Sequence, residues 1–432
     1  MKYRSTRDRG RPVALSQAIR EGLAGDGGLY VPVSMPQIDR STFAGRETLR
    51  AVATPLLRPF FAGDPLSERL DEILDEAFDF PAPRADEGPG RPPVLELFHG
   101  PTAAFKDFGA RFLAACLARI PRRDTRPLTI LVATSGDTGG AVAAAFHRRP
   151  GFQVALLYPQ GGVSALQERQ LCCWDDNVRS FAVRGRFDDC QRLAKQAMAD
   201  AELGAALALS SANSINVGRL LPQMASFASA SLQIRAERGR AAGFVVPSGN
   251  LGHAVACAWA REAGLPIGGI LLAHNANRAV PDYFDEGRWR PRPSVATIAN
   301  AMDVGDPSNM ERLRDLYPDH DRLVKRFSAV AIDDDAIRAR IQADAQSPGR
   351  VLCPHTAVAA EAWQRMTEVE RDRFDWAIVA TAHPAKFPEI VEPLIGRRLE
   401  PPPSLAQLLE RPLRRTDIDA DLTTLRRELL TA

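Results

Sequence analysis

From about residue 93 onward, short apolar runs alternate with longer stretches whose apolar positions recur at helical spacing. The runs 128–134, 152–158 and 178–183 read as strands, and 141–148 and 187–203 as helices. A second series places strands at 243–247, 267–273 and 376–380, the last of the chain. A helix runs from the turn 248–252 through 263. These runs are predominantly apolar, so both faces of each strand are expected to be covered. The pattern predicts an α/β fold with a parallel sheet flanked by helices. Upstream, 16–23 reads as a short helix, 25–28 as a turn and 66–78 as a helix. Residues 81–93 (PAPRADEGPGRPP) are dense in Pro, Gly and charge, which predicts a linker or domain edge. Three units are therefore expected: an N-terminal domain at 1–92, a first α/β domain at 93–235 and a second at 236–432.

A chain of 432 residues suits two or three such units and can bury a large core without disulfides or metals. Its 55 basic and 53 acidic residues leave a net charge of +2, which argues against a nucleic-acid binder. No apolar run is long enough to span a bilayer. The opening MKYRSTRDRG is not followed by an apolar segment, so no secretory signal is expected and the cytoplasm is the default location. Of the six cysteines, none forms a C-x-x-C pair or has a His at metal-ligand spacing. They read as buried thiols in a reducing compartment, with no metal site.

Four motifs carry candidate chemistry. In Pro247-Ser248-Gly249-Asn250-Leu251-Gly252-His253 a strand gives way to a helix, where free N–H groups favour phosphate, although a plain turn explains it as well. Thr134-Ser135-Gly136-Asp137-Thr138-Gly139-Gly140 takes the same place in an earlier unit. It can bind a carboxylate or phosphate at the end of the sheet, or serve as a tight turn with Asp137 or Thr138 as helix cap. In Phe105-Lys106-Asp107-Phe108 a lysine lies in an aromatic setting. Desolvation there lowers its pKa and suits Schiff-base chemistry, whereas a lysine reaching to solvent is the plainer alternative. In Thr381-Ala382-His383-Pro384-Ala385-Lys386-Phe387, Thr381 can point a hydroxyl into the crevice. His383 reads more readily as a structural residue of the turn than as a base. Neither glycine-rich turn has the G-x-G-x-x-G spacing of a dinucleotide site.

Taken in order, these motifs resemble those of the threonine synthases of bacteria and fungi. Further matching segments are Asp26–Pro32, Tyr158-Pro159, Phe187–Gln191, Asn213–Asn216 with Arg219, Ala301–Asp303, Pro307–Asn309 with Glu311-Arg312, and Pro354–Ala357. The resemblance implies the second major pyridoxal-phosphate fold: two open, mostly parallel sheet domains with the cofactor in the cleft between them, plus an N-terminal extension. It implies that Lys106 holds pyridoxal 5'-phosphate as a Schiff base and acts as catalytic base. Gly249, Asn250, Leu251, Gly252 and His253 would cradle the cofactor phosphate, and Thr381 would bond the pyridine nitrogen. The implied reaction converts O-phospho-L-homoserine and water to threonine and phosphate. Ser135, Gly136, Asp137 and Thr138 are expected at the substrate carboxylate, and Arg219 at its phosphate, with Asn216 and Asn309 as lesser candidates. The small-molecule substrate is the expected partner, on a monomer or homodimer.

The chain departs from the common family turn Gly-Asn-Phe-Gly-Asn by carrying Leu251 and His253, and Val217-Gly218 replace a frequent Trp. A phospho-lyase on the same scaffold, or a non-catalytic relative, is the alternative. Thr381→Val is expected to lose much activity and Lys386→Ala little.

Overall fold

The computed structural model describes residues 1–431 except 89, 122–124 and 347–349. The expectation of a linker at residue 89 lies outside the described residues. Two parallel sheets carry the fold. The first is five-stranded, in the order Thr416–Asp419, Val178–Arg184, Phe152–Pro159, Leu128–Ala133 and Ala208–Ser211. The second is six-stranded, in the order Ser328–Ala331, Ile267–His274, Ala242–Pro247, Asp375–Ala380, Val94–Glu96 and Arg84–Ala85. Every neighbouring pair is parallel except the Arg84–Ala85 edge. The six expected strands all form, because their apolar runs are buried on both faces as helices pack against each sheet.

Several expectations need correcting. Asp375–Ala380 is not the last strand, since Thr416–Asp419 follows and pairs with Val178–Arg184. Three of its four residues are exposed, so it lacks the apolar signature of a buried strand. Sheet membership also departs from divisions at 92/93 and 235/236. Val94–Glu96 pairs with Asp375–Ala380 in the six-stranded sheet, and the C-terminal strand returns to the five-stranded one. Part of the Pro-rich segment is itself a short edge strand. The helix expected at 141–148 begins at Asp137, and the one expected at 187–203 breaks at Asp200, whose side chain caps Ala201–Ala206. The 66–78 stretch is a 3-10 turn, Pro65–Arg69, followed by Leu70–Ala77.

The N-terminal segment packs on the Lys106–Arg119 helix. Phe60, Phe61, Leu70, Ile73 and Leu74 join one core with Phe108 and Phe112, and the rings of Phe61 and Phe112 meet edge to face at 6.0 Å. Each such side chain contributes roughly 1.5–3 kcal/mol by its burial, so the extension fixes the helix that begins at Lys106. Among the described residues no helix is long and apolar enough to cross a membrane.

Candidate active site

The Phe-Lys segment is stitched to the turn after Asp375–Ala380. Phe105 N–H donates to the Thr381 carbonyl at 2.9 Å, His383 N–H donates to the Ala103 carbonyl at 3.0 Å, and Ala104 bridges Ala382. Lys106 is therefore held beside Thr381, 275 residues away in sequence. A cleft of about 970 Å³, its open mouth included, lies between the sheets at the C-terminal ends of their strands. It is lined by Lys106, Ser135, Asp137, Thr138, Arg219, residues 249–253 and Thr381.

Lys106 is the first residue of its helix. Burial pushes its pKa down to about 8, and the cations of Arg219 and Lys386 add to this. The Asp137 carboxylate opposes it. Lys106 Nζ makes no hydrogen bond or ion pair among the described residues and lies 5.6 Å from the centre of the Phe105 ring. The Thr381 hydroxyl likewise has no hydrogen-bond partner among them.

The 249–253 turn is held from outside. Asn250 Nδ2 donates to Ser214 Oγ at 2.6 Å, and its Oδ1 accepts from Ser308 N–H at 2.6 Å. Leu251 adopts φ 61°, a strained setting for a residue with a Cβ. A Cβ on Gly249 would fall 2.8 Å from Met302 Cα, so glycine is required where the turn meets that backbone. The N–H groups from Gly249 to Ala254 have no acceptor among the described residues. Unpaired donors at a helix start suit an anion.

In the other turn, the N-cap is Gly136 and neither Asp137 nor Thr138; Thr134 Oγ1 accepts from Gly136 N–H at 3.1 Å and Gly139 N–H at 2.9 Å. Gly136 lies behind the cleft wall against Gln167. Asp137 is 4% exposed and pairs with Lys386 Nζ at 2.8 Å, while Gln167 Nε2 donates to it at 3.2 Å. Although burial alone would raise the Asp137 pKa, the Lys386, Lys106 and His355 side chains hold it well below the usual carboxylate range. Lys386 is fully buried and also donates to the Thr102 carbonyl at 2.9 Å, so it is no surface residue of its motif.

Arg219 lines the cleft, is 2% exposed, and makes no ion pair among the described residues. Its Nη1 donates to the Ala212 carbonyl, its Nε is unpartnered, and burial lowers its pKa to about 10. Asn216 does not line the cleft. It caps the Val217–Leu220 helix through Gly218 N–H and donates to the Ile19 and Ser211 carbonyls, so its side chain is committed to the fold. Asn309 is similarly occupied by Arg312 and the Ser214 carbonyl. His383 accepts from Ala385 N–H and packs on Phe98, in keeping with a structural residue of the turn. His355, Gln191 and Gln223 also line the cleft. Residue types alone gave no signal for them. His355 Nε2 accepts from Ala301 N–H at 3.1 Å, and burial lowers its pKa to about 4.

With Asp137 paired to Lys386, two cations without ion-pair partners and a row of N–H groups without acceptors among the described residues face one space. That donor set fits an amine-reactive aldehyde carrying a phosphate.

Comparison with known proteins agrees. The family described as "Pyridoxal-phosphate dependent enzyme" matches residues 93–381, flanked by "Threonine synthase N terminus" at 2–78 and "Threonine synthase, C-terminal" at 356–428. The threonine synthase of Escherichia coli (strain K12) is 38% identical over 437 residues, covering 100% of this chain and 99% of its own. The chain belongs to the threonine synthase family. Pyridoxal phosphate is the family's cofactor, and the fold is the second major pyridoxal-phosphate type. The crystal structure of the Escherichia coli threonine synthase superposes with a TM-score of 0.92 at 37% identity, with 100% of both chains covered. That of a threonine synthase with bound pyridoxal phosphate from Brucella melitensis gives 0.89 at 32% identity, with 100% of this chain and 99% of that one covered.

Proposed function

We propose that the chain converts O-phospho-L-homoserine and water to L-threonine and phosphate, a pyridoxal-phosphate-dependent lyase reaction closing threonine biosynthesis. The observation carrying this reading is the meeting of Lys106, the 249–253 turn and Thr381 in one cleft. Homology over the full chain supports it.

Lys106 would hold the cofactor, and the N–H groups from Gly249 to His253 across the cleft would take its phosphate. The Thr381 hydroxyl would bond the pyridine nitrogen. When bound, the cofactor supplies a conjugated ring that takes up the electrons left at Cα and Cβ when protons depart. The amine of Lys106, depressed to about 8, is neutral often enough near pH 7 to accept a proton from Cα and return it. Arg219, cationic and without a carboxylate partner, binds the substrate phosphate and steadies its departure. Ser135, Thr138 and the start of the Asp137–Phe146 helix hold the substrate carboxylate. Gly136 supports this turn from behind, and the Lys386 ion pair offsets the repulsion that an unpaired Asp137 would exert. Six buried thiols suit a reducing cytoplasm.

The test is to incubate purified, cofactor-loaded protein with O-phosphohomoserine. Equimolar threonine and phosphate are expected. Phosphate with a keto acid and no threonine would make the protein a phospho-lyase instead.

A further inference from the structure

We propose that His253 engages the cofactor phosphate through a proton held at its Nε2, so that cofactor binding in this chain takes up a proton. The proposal rests on reading the cleft as the cofactor site. His253 is the second residue of the Gly252–Glu262 helix, lines the cleft, and is 6% exposed.

Its tautomer follows from its neighbours. Gln223 Nε2 donates to the Arg219 carbonyl, which turns Gln223 Oε1 toward His253 Nδ1 at 2.8 Å. A carbonyl oxygen only accepts, so Nδ1 carries the hydrogen. In the neutral ring Nε2 is then a bare lone pair, buried and without a partner among the described residues. The rings of Phe105 and Phe227 lie against the imidazole at 4.6 and 4.5 Å between centroids.

Every other polar group that the 249–254 turn offers from its backbone amides is a donor. Nε2 is the turn's one buried side-chain atom without a partner among the described residues, and in the neutral ring it is an acceptor. An acceptor and a phosphate oxygen can meet only with a proton between them, whether it is counted as P–O–H donating to imidazole or imidazolium donating to phosphate. Above the second phosphate pKa, roughly 6, either description requires one proton from solvent.

The ionisable groups sharing the cleft are Lys106, Asp137, Arg219 and His355, and Cys257 lies one turn along the helix. Phe105, Phe227 and Gln223, which pack against the ring, carry no charge. Burial alone keeps the imidazole neutral, with its pKa lowered to about 3 before an anion arrives. The asparagine of the common family turn can donate without taking up a proton, so the behaviour belongs to chains with His at this position.

The probe is pyridoxine 5'-phosphate, whose alcohol cannot attach to Lys106. Calorimetry on the full chain at pH 8, in two buffers of different ionisation heat, counts the protons exchanged. Wild type is expected to take up about one proton more than His253→Asn or His253→Gln, each checked for a wild-type thermal melt. Between pH 7 and 8.5 its Kd should rise about tenfold more per pH unit than theirs. Equal proton uptake in wild type and a folded variant, or a wild-type Kd that does not change with pH, overturns the proposal and leaves the cofactor site standing. Failure of wild type to bind the probe at all would overturn both.

Discussion

Lys386 shows how burial changes the reading of a residue. Its motif suggested a dispensable neighbour of Thr381, but its ammonium sits fully buried between Asp137 and the Thr102 carbonyl. Thr102 in turn donates to Asp107, the residue after Lys106. Removing one partner of a buried pair leaves an uncompensated charge, typically about 3–5 kcal/mol. We therefore expect Lys386→Ala to lose about that much stability in urea unfolding, which removes the ground for expecting it to be mild. The double variant Asp137→Asn/Lys386→Met should recover most of the loss. A Lys386→Ala protein as stable as wild type would contradict the buried pair. Thr381→Val is different, because its hydroxyl has no hydrogen-bond partner among the described residues. It should lose roughly tenfold in kcat/KM with little change in stability. Equal stability losses at Thr381 and Lys386 would show that the two residues have been assigned the wrong kinds of role.

At the level of elements, the buried strands were legible because their apolar runs lack polar alternation. The turns after Leu128–Ala133 and Ala242–Pro247 were legible because glycine and hydroxyl residues cluster there. Thr416–Asp419 and Ser328–Ala331 were not, since partly exposed edge strands carry no continuous apolar run. The capping of the Asp137–Phe146 helix was misjudged for a related reason. Several side chains in that turn can cap, but Gly136 takes the N-cap position, Asp137 is claimed by Lys386, and the Gly139 N–H goes to the Thr134 hydroxyl. Gly136 marks the sharpest point of this turn, at φ 127°. A Cβ there would lie 2.5 Å from Gln167 Cδ. Gly136→Ala should therefore destabilise by at least about 1–3 kcal/mol of backbone strain and weaken substrate binding, read as a raised KM. A variant with wild-type melting and KM would show that the turn does not need glycine.

Across the whole molecule, distant segments meet at the cleft through backbone bonds that no local pattern announces, such as Phe105 to Thr381 and Asn250 to Ser214. Family resemblance expected Lys106, Thr381 and Asn216 at one site; Lys106 and Thr381 line the cleft, whereas Asn216 does not and has its polar atoms taken up by the fold. The buried histidines give the molecule an acid limit. Burial lowers His253 and His274 to about 3, and His355 and His383 to about 4, from an ordinary 6.5. The unfolded chain therefore binds more protons than the folded one below 6.5. Their contribution to stability is complete above that pH and is lost as pH falls toward 4. Urea midpoints of the cofactor-free protein should drop steeply between pH 6.5 and 5, and a flat profile there would mean these rings are charged or exposed in the folded protein.

The central claim is that one amine, that of Lys106, carries the cofactor opposite the 249–253 turn. The most direct measurement is borohydride reduction of the cofactor-loaded protein, followed by peptide mapping by mass spectrometry. The expected result is a single phosphopyridoxyl group on Lys106, absent from Lys106→Ala. A label on another lysine, or none on a protein that has bound the cofactor, would contradict the account.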